Sequence, residues 1–110
     1  METGLDDAMT TFVIEGLVGA PAPRPGLVVA LADAFPQARA LQVTLALACA
    51  AQGLEDMLAD GLDQAQALYR LATLVAVDTL VLEVQDQARQ GPIMAVHLLA
   101  HWRGDPFFRR

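Results

Sequence analysis

From Leu62 to Gln90 the chain has neither glycine nor proline, and Gly61 and the pair Gly91-Pro92 close it at either end. Apolar residues recur through it at helical intervals, so it predicts one continuous helix, about 43 Å long at 1.5 Å per residue. A small bundle cannot cover a rod of that length alone, and a partner, most economically a second copy, is the natural use for the overhang.

The pattern along this segment is not constant. With Asp63 at roughly 0° and 100° per residue, Gln66, Arg70 and Thr73 fall near 300°, 340° and 280°, while Leu68, Leu71, Ala72 and Val75 fall between about 80° and 180°. Past Val75 the arrangement inverts. Thr79, Glu83, Asp86 and Gln90 then occupy roughly 140° to 200°, and Val77, Leu80, Val81, Val84 and Ala88 occupy about 260° to 0°. The helix is therefore expected to change its buried face near Leu74–Asp78 while staying continuous. Leu74, Val77, Asp78, Val81 and Val84 are the candidate interface, and Val81→Asp is expected to dissociate an oligomer.

The rest of the chain is punctuated into helices. Leu5, Met9, Phe12, Val13 and Leu17 share one face of a first helix, Gly4 to Val18, with Asp6 and Asp7 near its positive end and Gly19 as its stop. The connector Ala20 to Pro25 alternates proline and favours an extended spacer. A short helix, Leu27 to Ala34, ends before Pro36, and Pro36 is expected to open a third helix running to Gln52. That third helix is apolar on nearly all sides, which predicts that it is surrounded. Gly53 to Gly61 reads as a short helix or a continuation. A last helix is expected from Pro92 to Trp102, closed by Gly104, followed by a tail whose Phe107 and Phe108 pack back or onto a partner.

Composition agrees. Apolar residues make up 55% of 110 residues, aromatics only 5%, and a chain this size hides roughly two-thirds of its surface. The expected fold is one all-α domain over 1–110, a bundle of four to five helices, with oligomerisation completing it. The net charge of -6 discourages contact with phosphate or anionic lipid. No stretch reaches the about 20 apolar residues that cross a membrane. The acidic first residues and the single cysteine lead to a cytoplasmic expectation. Cys49, set among alanines and leucines, reads as a small buried hydrophobe.

Sites are few. His97 and His101, four apart on one helix face, are a candidate metal pair that needs a further carboxylate such as Asp78, Glu83 or Asp86. Asp78 is also weighed as an acid catalyst, against a role facing solvent or an arginine, Arg70 or Arg39, across an interface. Serine is absent, Cys49 has no activating neighbour, and no glycine-rich phosphate loop is present, so nucleophilic and nucleotide chemistry lack support. Arg103, Arg109 and Arg110 are candidate nucleic-acid contacts, although the segment that would read bases, Leu62 to Arg70, holds one arginine. The leading expectation is a small, non-enzymatic interaction, adaptor or assembly protein without a cofactor, acting as a homodimer. A DNA-binding regulator and a metal- or small-molecule-binding sensor are the alternatives.

Overall fold

The computed structural model describes residues 3–17, 23–57 and 62–109. It is an all-α bundle of five helices: α1 (Thr3–Gly16), α2 (Pro25–Ala34), α3 (Ala40–Met57), α4 (Leu62–Gln85) and α5 (Ala95–Trp102), with a short 3-10 turn at Pro106–Arg109. Helix α3 is the hub. It packs along α4 on one side and α1 on the other, and it touches α2 and α5 at its start.

Each helix buries the stripe its spacing dictates. Met9, Val13 and Leu17 line the inner side of α1 and its following turn. Val28, Leu31 and Ala32 do so in α2, and Val43, Ala46, Leu47, Ala50, Ala51 and Leu54 in α3. Small alanines on α3 let its neighbours approach closely, and the buried residues join into one cluster. Phe12 of α1 meets Phe35 edge-on at 5.9 Å, and Gln42 Nε2 donates to Asp6 Oδ1 at 3.0 Å, tying α3 to α1.

Several helix ends differ from the sequence expectations. Of the proline connector, residues 20–22 lie outside the described residues, as do Gly19 and Gly61. Pro23 and Arg24 are extended, and Pro25 already sits in the first turn of α2. Pro36 does not open α3, and Pro92 does not open α5. Instead the chain pairs with itself: Ala40 N–H donates to the Ile93 carbonyl at 2.8 Å, Ala95 N–H to the Ala38 carbonyl at 2.8 Å, and Arg39 faces Met94 in an antiparallel bridge. Pro36 and Gln37 form a turn closed by the Ala38 N–H on the Phe35 carbonyl, and the pairing then holds Arg39 and Met94 out of helix until Ala40 and Ala95. Each helix start is then capped from three residues ahead. Gln42 Oε1 accepts from Arg39 N–H at 2.9 Å, and His97 Nδ1 accepts from Met94 N–H at 2.8 Å.

Gly53 does not end α3, which continues to Met57. Helix α4 is continuous through Leu74–Asp78, as its composition required, but stops at Gln85 instead of Gln90. Residues 85–90 are all exposed, so no packing supports further turns. Asp86 and Arg89 close a turn there with an ion pair at 3.2 Å, and Gly91, at φ +95°, reverses the chain. Gly104, at φ +85°, ends α5 as expected. Phe108 folds back and stacks on Trp102 with centroids 4.6 Å apart.

The molecule measures 46 × 35 × 20 Å. The shortest dimension is about two helix diameters. In so thin a body α4, packed along α3 alone to any great extent, keeps a whole side in solvent. Among the described residues no helix is long and apolar enough to cross a membrane.

The outward face of the third and fourth helices as a candidate functional site

Helix α4 lays one stripe on α3 as far as Thr79: Ala65, Leu68, Leu71, Ala72, Val75 and Thr79 are buried. The expected change of buried face therefore does not occur. Thr79 stays on the inner stripe because its hydroxyl donates to the Val75 carbonyl at 2.7 Å, which satisfies it within its own helix. What changes at mid-helix is the opposite side. Over the first half, after Leu62 at the helix start, which is 57% exposed, the outward residues are Asp63, Gln66, Arg70 and Thr73, all exposed. Over the second half they are Val77, Leu80 and Val84, which leave 52%, 59% and 59% of their surface in water.

Helix α3 also exposes apolar residues, beside Leu5 of α1 and Met94. Leu41 and Leu45 are 66% and 47% exposed, and Cys49, one turn on, is exposed too, against the expectation of burial. The helix is thus enclosed on its inner sides only. A shallow apolar groove of about 470 Å³ runs between α3 and α4, floored by Ala48, Ala72 and Ala76 and walled by Tyr69 and Leu80. The Thr44 hydroxyl, also in its lining, has no hydrogen-bond partner. Tyr69 is pushed above its ordinary pKa of 10.0, by desolvation first and then by the Glu55 carboxylate.

The residues singled out from the sequence separate here. Val77 and Val84 lie on the outward face. Leu74 and Val81 are half-buried, while the fully outward Leu80 had escaped selection. Leu80 was legible, since it shares the helical sector of Val77 and Val84. Within its own chain Asp78 is engaged by α5: its Oδ2 accepts from the Trp102 indole N–H at 2.7 Å, joining α4 to α5.

His97 and His101 share α5, but His97 spends its Nδ1 on the Met94 amide. That places the ring proton on Nε2, so the Arg89 guanidinium 3.0 Å away meets a donor and makes no hydrogen bond there. His101 is exposed, and no group of three or more His, Cys, Asp or Glu gathers among the described residues. Arg103 and Arg109 border a small hollow beside Trp102 and Phe108; Arg110 lies outside the described residues. No family model, curated protein or solved structure matches the chain.

Proposed function

We propose that this chain is a small helical interaction or assembly protein whose work is done by the outward face of α3 and α4. One observation carries the reading: Val77, Leu80 and Val84 stand together in water on a helix whose inner stripe is already packed. The fold gains nothing from them as they stand. Covering such half-exposed side chains is worth roughly 1 kcal/mol each, which a partner surface gains and a lone chain forgoes. A cytoplasmic setting accords with this reading, since the lone Cys49 is free and exposed and thiols stay reduced there.

The test is the intact mass of the native complex drawn from the cells that make the protein. The paired substitution Val77→Asp with Leu80→Asp should release the chain from that complex while its circular dichroism stays helical. A complex of unchanged mass would overturn the assignment.

A further inference from the structure

We draw no further inference here: the strongest candidate, the apolar outward face of α4 with the shallow groove beside it between α3 and α4, carries nothing beyond the interaction reading because nothing in the structure shows what covers it.

Discussion

The two halves of α4 are alike where they face α3 and unlike where they face water. Ala65, Leu68 and Leu71 in the first half, and Val75 and Thr79 further on, form one inner stripe. Outward, the first half offers Asp63, Gln66, Arg70 and Thr73, and the second Val77, Leu80 and Val84. The inner stripe answers to the chain's own core. The outer sector is free of that demand, so its composition records something other than folding. A polar outer sector is the ordinary surface of a bundle helix; an apolar one on the same helix is the sector that the proposed contact would use.

The sharpest way to break this comparison is to exchange inner and outer roles. Leu68→Ala, at a fully buried position, should cost about 2–5 kcal/mol in denaturant unfolding. At protein concentrations low enough to keep the chain monomeric, Leu80→Ala should cost less than about 0.5 kcal/mol. Equal losses at the two positions would make the outer sector part of the core and end the distinction.

A smaller effect tests whether the second half is anchored by more than its stripe. Trp102→Phe keeps most of the ring stack on Phe108 but removes the indole N–H from Asp78. It should cost about 1–3 kcal/mol, the range for leaving a partly buried acceptor unsatisfied. Asp78→Ala added to it should cost little more; full additivity in a double-mutant cycle would show that the bond carries no stability.

The smallest effect belongs to the first half. Tyr69 has its pKa raised in the folded chain, so the folded state holds the phenol proton more tightly than the unfolded one does. That contribution is complete below the unfolded value of 10.0 and fades as pH rises from there through the folded value. Tyr69→Phe should therefore flatten the fall in stability above pH 10.0; an unchanged slope would show that Tyr69 does not contribute to it.

Much of this was legible in sequence because helical period is a local signal. The stripe of α1, that of α4 as far as Val75, the stop at Gly104 and the unbroken run through Leu74–Asp78 all follow from spacing and from glycine and proline chemistry. The departures come from contacts between distant residues. Pro36 and Pro92 satisfied the local rule for opening a helix, yet the pairing of Ala38–Ala40 with Ile93–Ala95 delayed both starts. Thr79 looked outward because it is polar, whereas a hydrogen bond to Val75 lets it lie inward. Asp78 drew attention as a carboxylate among apolar residues, but nothing local points to Trp102. For the candidate site, the inversion near mid-helix pointed to the half of α4 whose outer side is apolar, but it did not anticipate that Thr79 stays on the covered side. Polarity shows where a helix changes; only the neighbours show which side is inside.

The bridge between Arg39 and Met94 has a kinetic consequence. Helices α3 and α4 are neighbours in sequence and can zip together early, whereas the start of α5 must find the start of α3 across about half the chain. Contacts of that separation carry a larger loop-closure entropy and form late. The paired amides of Ala40 and Ala95 are therefore expected among the later closures of the fold, together with the still more distant contacts of α2 with the Pro106–Arg109 turn.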